Sequence, residues 1–219
     1  MTDRTPRWWW LAAFLAVGIA VYSLRYVVLG ARAYTPELAA SFSARPTSVL
    51  VHTLFGPLAL VLGLVNLLPA MRRHRWLAHR TVGRVYLVSV LMLGVAGLAL
   101  SLHAAGGIVA RTGFFVLAVA TLGTAIIGYR HIRRGDVRAH REWMLRSYAC
   151  IFAAVTLRAW MPILMLATSG QFPPAYRVVA WLSWVPNLLW AERVIRRGWV
   201  PHMELDGRAS LAAASGSSV

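Results

Sequence analysis

An all-α, polytopic transmembrane bundle of six spans is the fold this sequence predicts, on three observations. The 219 residues are 58% hydrophobic and 14% charged, with a mean hydropathy of +0.59; a soluble domain of this size needs far more charged surface. The apolar residues gather in runs, and six runs approach the ~20 residues that cross ~30 Å of hydrocarbon. Finally, the arginines alternate between rich and poor links along the chain.

The first run, residues 8–29, follows Arg4 and Arg7 as the core of a signal peptide would. However, it is long, opens on Trp8, Trp9 and Trp10, and ends near Tyr26 and Arg32 without a small-residue cleavage site. A retained span with interfacial aromatics is therefore expected. The link from Gly30 to Pro46 has room for a short helix. The other spans follow at residues 49–68, 83–102, 112–129, 143–166 and 178–194. Barrel strands would be half as long and would alternate, and none of these runs does. The chain reads as one membrane domain, residues 1–197, and a Ser/Ala/Gly-ending tail, 198–219, expected to be mobile.

A formal net charge of +16 invites a nucleic-acid reading, but its placement points elsewhere. Every basic residue is arginine. Arg72, Arg73, Arg75, Arg80 and Arg84 surround the link between spans two and three, and Arg130, Arg133, Arg134, Arg138, Arg141 and Arg146 that between four and five. Arg193, Arg196, Arg197 and Arg208 follow span six, while the remaining links carry only Arg32, Arg45, Arg111 and Arg177. The positive-inside rule places the rich side, and so both termini, in the cytoplasm of a bacterial cell. The partner implied is anionic lipid headgroups, with no role for nucleic acid. Cys150 is the only cysteine, so no intramolecular disulfide forms, and it reads as a small packing residue.

The two basic links resemble each other. Each ends in Ala-His-Arg, at His79-Arg80 and at His140-Arg141, and each is followed by an Arg and a Tyr, Arg84 with Tyr86 and Arg146 with Tyr148. Spans two–three and four–five are therefore expected to be related hairpins.

Polar side chains within a span are costly and mark candidate sites. His52 lies near the outer end of span two, His103 closes span three at the outer level, and Arg158 sits in the outer half of span five. No Asp or Glu lies in the outer half of any span. Pro162 frees the carbonyl of Arg158 and Pro57 that of Thr53, because a proline removes the bond to the carbonyl four residues earlier. On one reading the three residues share a pocket: His52 and His103 as the two axial ligands of a b-type haem iron, Arg158 as the propionate partner. On the other, the histidines are interfacial and structural and Arg158 snorkels outward. At the inner face His79 and His140 bind haem or quinone between the hairpins, or hold lipid phosphate. Asn66 and Tyr86 read as interhelical hydrogen-bonders. No His-Glu-x-x-His, P-loop, Gly-x-Ser-x-Gly or paired-carboxylate motif is present.

These residues carry a resemblance. His52 with Gly56-Pro57, His79-Arg80 with Gly83-Arg84 and Tyr86, Gly135-Asp136, His140-Arg141-x-Trp143-Met144-x-Arg146-Ser147-Tyr148 and Ala154-Val155-Thr156-Leu157-Arg158 together resemble the domain of unknown function 2306 family of predicted bacterial membrane proteins. The resemblance implies the membrane class and raises the standing of His52, His79, His140 and Arg158. It supplies no activity. Asn66 stands where a Gln is expected. The chain is also loosely similar to six-span b-type cytochromes. The functional expectation is thus a haem-binding or quinone-linked electron-transfer protein, and its rival a non-enzymatic scaffold, assembly factor or carrier of a small amphiphile.

Overall fold

The computed structural model describes residues 7–68, 71 and 75–198, and the tail expected to be mobile lies almost wholly outside them. The described residues are helical throughout, with no strand among them. Span one is α1 (Arg7–Ser23) and α2 (Arg25–Leu29), closed by a 3-10 turn (Gly30–Ala33). The short helix expected in the next link is α3 (Pro36–Ser43). Spans two to four are the unbroken helices α4 (Pro46–Leu67), α5 (Trp76–Ser101) and α6 (Ile108–Arg133). Span five divides into α7 (Val137–Ile151) and α8 (Ala153–Ala167), and span six into α9 (Phe172–Leu182) and α10 (Val185–Arg196).

Among the described residues, five helical segments are long and apolar enough to cross a membrane. The sixth span falls outside that set because it is broken at Ser183 and Trp184, where Pro186 starts α10. The helices also outrun the apolar runs at their arginine-rich ends, with Trp76–Thr81 and Arg130–Arg133 helical. Continuing the helix satisfies the backbone while the guanidinium heads reach outward. At the start of α7, Asp136 caps the helix by accepting from the Ala139 N–H at 3.0 Å. That bond, followed by His131, holds its carboxyl below the usual carboxylate range. The cap is therefore present above about pH 3.9 and is lost only as pH falls through the lower folded value.

Small residues let the bundle close. α4 packs on α5, α5 on α6 and α6 on α7, while α1 lies against α4 and α10 against α7. Leu60, Leu64, Tyr86, Val90, Ala125, Tyr148 and Ile151 form one buried core. Its centre is Gly63, where a Cβ would come within 2.5 Å of the Tyr148 ring and 2.7 Å of the Tyr86 ring. The two phenols end on polar partners, Tyr86 on the Ser147 hydroxyl at 2.9 Å and Tyr148 on the Leu60 carbonyl at 3.2 Å. Tyr86 is thus the interhelical hydrogen-bonder expected. Asn66 is another: with its amide nitrogen turned to His79 (Nδ1 3.2 Å, carbonyl 3.3 Å), its oxygen accepts from the Gly83 N–H at 3.1 Å.

Gly63→Ala should cost roughly 1–3 kcal/mol by overpacking both rings, read as a lower melting temperature in detergent. Gly123→Ala, on α6 with open space around it, should leave the melting temperature unchanged or slightly raised.

Candidate functional site

The breaks in spans five and six sit side by side. The Ser183 carbonyl accepts from the Thr156 hydroxyl and from Asn187 Nδ2 at 2.9 Å. Asn187 also reaches the Ala149 carbonyl at 3.3 Å and the Thr156 hydroxyl at 3.1 Å. In lipid, carbonyls released by a helix break need donors, and these two side chains supply them across the pair. Pro162 is not the site of the span-five break: α8 runs through Pro162, as α4 runs through Pro57.

Past the break the bundle changes. α7 packs against α4 and α6, whereas α8 packs chiefly on α1 and α9. The arginine-poor half of the bundle is thereby left as a ring, α4–α5–α6–α9–α8–α1, in which each helix touches the next.

His52 lies on the side of α4 turned to α5. Leu50, Leu54 and Leu58 form an exposed apolar face of α4, and His52 points ~160° away from its middle at 100° per residue. The Leu93 carbonyl of α5 is its hydrogen-bond partner, and Nδ1 is 3.9 Å from where a Cβ on Gly97 would lie. The residue remains exposed.

Arg158 lies on α8. Its guanidinium donates to the Ala154 carbonyl at 2.9 Å and to the Ser23 hydroxyl of α1 at 3.2 Å, so it turns inward instead of snorkelling. Its charge reaches His52 and also Tyr22, Arg25 and Tyr26. Arg25 lies over the Tyr22 and Tyr26 rings, 4.1 and 4.8 Å from their centres, and donates to the Tyr26 hydroxyl at 2.9 Å. Its Nε is buried without a partner. Tyr176 on α9, stacked on Phe172 and packed on Phe114, is in electrostatic reach of Tyr26.

His52 and Arg158 thus lie in electrostatic reach of each other. His103 follows α5 by two residues and is exposed, Nδ1 3.5 Å from the Ala99 carbonyl, and its own carbonyl accepts from Ser41. From Gly97, beside His52, it is ~9 Å further along the axis and ~240° around. Neither proline-freed carbonyl is a partner of His52 or Arg158. At the arginine-rich end His140 Nδ1 lies 2.8 Å from the Gly128 carbonyl of α6, as His79 ties to Asn66 of α4; each histidine binds its hairpin back to the preceding helix. Among the described residues no three His, Cys, Asp or Glu side chains group as a metal ion would require.

Tyr22, Ser23, Arg25, Tyr26 and Tyr176 did not stand out in the sequence. Arg25 carried a usable signal, an arginine inside an apolar run between two tyrosines, whereas Ser23 carried none.

Residues 49–195, about two thirds of the chain, match the family described as predicted membrane protein, DUF2306. The chain belongs to this family. No curated protein and no solved structure matches it, and the likeness to b-type cytochromes finds no support among the comparisons. The matched DUF2306 segment includes His52, Arg158 and Tyr176, and leaves α1 and α2, with Tyr22, Ser23, Arg25 and Tyr26, outside it.

Two arginines of this DUF2306 protein should behave oppositely when removed. Arg146 makes a two-pronged pair with Glu192 of α10, at 2.5 and 3.0 Å, so Arg146→Leu should destabilise by about 1 kcal/mol, the upper range for a partly exposed pair. Arg158 has only neutral partners, so Arg158→Leu should leave the melting temperature of ligand-free protein unchanged or raised.

Proposed function

We propose that this membrane protein is a non-enzymatic carrier that holds the anionic head of a small amphiphile in the outer-leaflet half of the bundle. The observation that carries this reading is that Arg158 and Arg25 lie in electrostatic reach of each other with no described carboxylate bonded to either. A guanidinium within the bilayer costs ~2.5–3.5 kcal/mol on insertion scales. The Ala154 carbonyl, Ser23 and two phenols lower that cost without cancelling the charge. A carboxylate or phosphate head would cancel it, with Tyr26 and Tyr176 as further hydrogen-bond donors and the aromatic rings against the chain.

Quinone, being neutral, leaves both charges uncompensated. Haem is an anionic amphiphile through its propionates, and His52 offers one imidazole. A bis-histidine iron needs two ring nitrogens ~4 Å apart with the metal ~2 Å from each, whereas helix rise sets His103 ~9 Å along the axis from Gly97, beside His52. The carrier reading therefore stands ahead of the redox one.

The test is thermal stability of detergent-purified protein with palmitate or phosphatidylglycerol, against phosphatidylcholine and ubiquinone. An anionic amphiphile at 100 times its Kd should stabilise by ~2.7 kcal/mol, and Arg158→Gln should remove the effect. Equal stabilisation by the zwitterionic and neutral compounds would sink the reading. A Soret band in the purified protein, lost in His52→Ala, would make haem the occupant.

The orientation, with both termini and the arginine-rich links cytoplasmic, is read from the charge pattern. Gly106 and Gly135 lie at opposite ends of α6. Periplasm-active and cytoplasm-active reporter fusions there should therefore respond on opposite sides, the Gly135 fusion inside.

A further inference from the structure

We infer that an open groove between the 3-10 turn and α4 seats one chain of an anionic phospholipid from the leaflet at the arginine-poor end. This goes beyond the carrier reading, since neither His52 nor Arg158 lines the groove. Its origin is local. Gly30 ends α2 at a φ of +54°, a left-handed conformation that glycine adopts freely, and the chain bends there into the 3-10 turn. Pro46 opens α4 on the other side. Between them lies a space of about 360 Å³, walled by Tyr26, Val27 and Ala31 on one side and Ser43, Val49 and Leu50 on the other. A Cβ on Gly30 would meet no atom within 4 Å, so the space is open at that corner.

The occupant follows from the surroundings. Val27 and Leu50 are exposed, and tyrosines such as Tyr26 and Tyr34 at the end of a span sit at headgroup level. Left unfilled, an apolar groove forfeits dispersion contacts, and in a bilayer acyl chains are what surrounds it. Its volume is near the small end of ligand sites, ~300–1,000 Å³, so one chain enters while the second stays among its neighbours. That chain gains little by exchanging lipid for protein, because hydrocarbon is as apolar as leucine. Selection therefore falls to the headgroup. Arg25, Arg32 and Arg45 are each next in sequence to a lining residue, Tyr26, Ala31 and Pro46, and Glu37 is the one carboxylate between residues 25 and 46. An arginine near a headgroup favours anionic lipid by roughly fivefold. Tyr26, Tyr34 and Ser43 bring hydroxyls that can donate to phosphate oxygens. The Tyr26 hydroxyl already accepts from Arg25 at 2.9 Å, which leaves its own proton for that bond.

The seat is tested by photo-crosslinking in nanodiscs of equal parts phosphatidylglycerol and phosphatidylcholine, with a diazirine in the acyl chain of one or the other. Cross-linked peptides are located by mass spectrometry. Phosphatidylglycerol should react within residues 26–50 at least fivefold more than phosphatidylcholine. The exposed face of α6 at Phe115, Val116 and Val119 should react with both alike. Arg32→Gln combined with Arg45→Gln should erase the excess in the groove and leave the α6 yield unchanged. Leu50→Trp, at an exposed wall position outside the core, should lower the groove yield of both lipids several-fold, again without changing α6. Equal reaction of the two lipids in the wild-type groove would overturn the inference. So would an excess that survives the double arginine variant, or a groove yield indifferent to Leu50→Trp. None of these failures touches the carrier reading, which turns on Arg158→Gln.

Discussion

Because lipid offers a peptide group no hydrogen bond, a helix can break inside a membrane only where donors from neighbouring helices take over its carbonyls. In this bundle that constraint is met at one level and by two residues. Thr156 and Asn187 serve the Ser183 and Ala149 carbonyls, so spans five and six break side by side. With those breaks in place, α7 stays in the packed half against α4 and α6 while α8 leans toward α1 and α9. Thr156→Val would remove a donor from the middle of the bundle, and its effect would be felt at Arg158, half a turn further along α8.

The two halves of the bundle solve opposite problems. Toward the arginine-rich end, Gly63 lets Tyr86 and Tyr148 meet across it, and every phenol finds a partner. Arg146 finds Glu192 there as well. Toward the arginine-poor end the same types of residue are arranged without closure: Arg25 Nε has no partner, and Arg158 rests on a carbonyl and a serine. Unsatisfied polar groups cost stability wherever they are buried. Among the described residues the buried side-chain atoms without a partner are Arg25 Nε, Thr35 Oγ1 and Ser183 Oγ, none of them beside Gly63.

Much of this was legible in the sequence because its causes are local or compositional. Apolar run length gave the spans, alternating arginines gave the order of the links, and the polar positions His52 and Arg158 stood out by type alone. The pairing of His52 with His103 rested on depth, which can be read from a sequence, whereas rotation about a helix axis depends on packing. Pro57 and Pro162 are carried within α4 and α8, whereas span five is interrupted at Phe152, a residue with no intrinsic tendency to stop a helix. Beside that interruption Asn187 of span six reaches the Ala149 carbonyl, a contact that no pattern within span five reports. Span six was found as an apolar run although Pro186 divides it, because hydropathy is blind to continuity.

Span one adds a last step. The family match starts at Val49, inside α4, so the matched helices alone would present His52, Arg158 and Tyr176 to whatever lies between α4 and α8. In this chain α1 adds Ser23 to Arg158, and α2 adds Arg25 with Tyr26. The two contributions are chemically unlike: the matched segment supplies a cation and an imidazole, span one a second cation and the two phenol rings it lies over. On the carrier reading proposed above, a change in span one therefore alters what surrounds Arg158 while the packed half around Gly63 is left untouched.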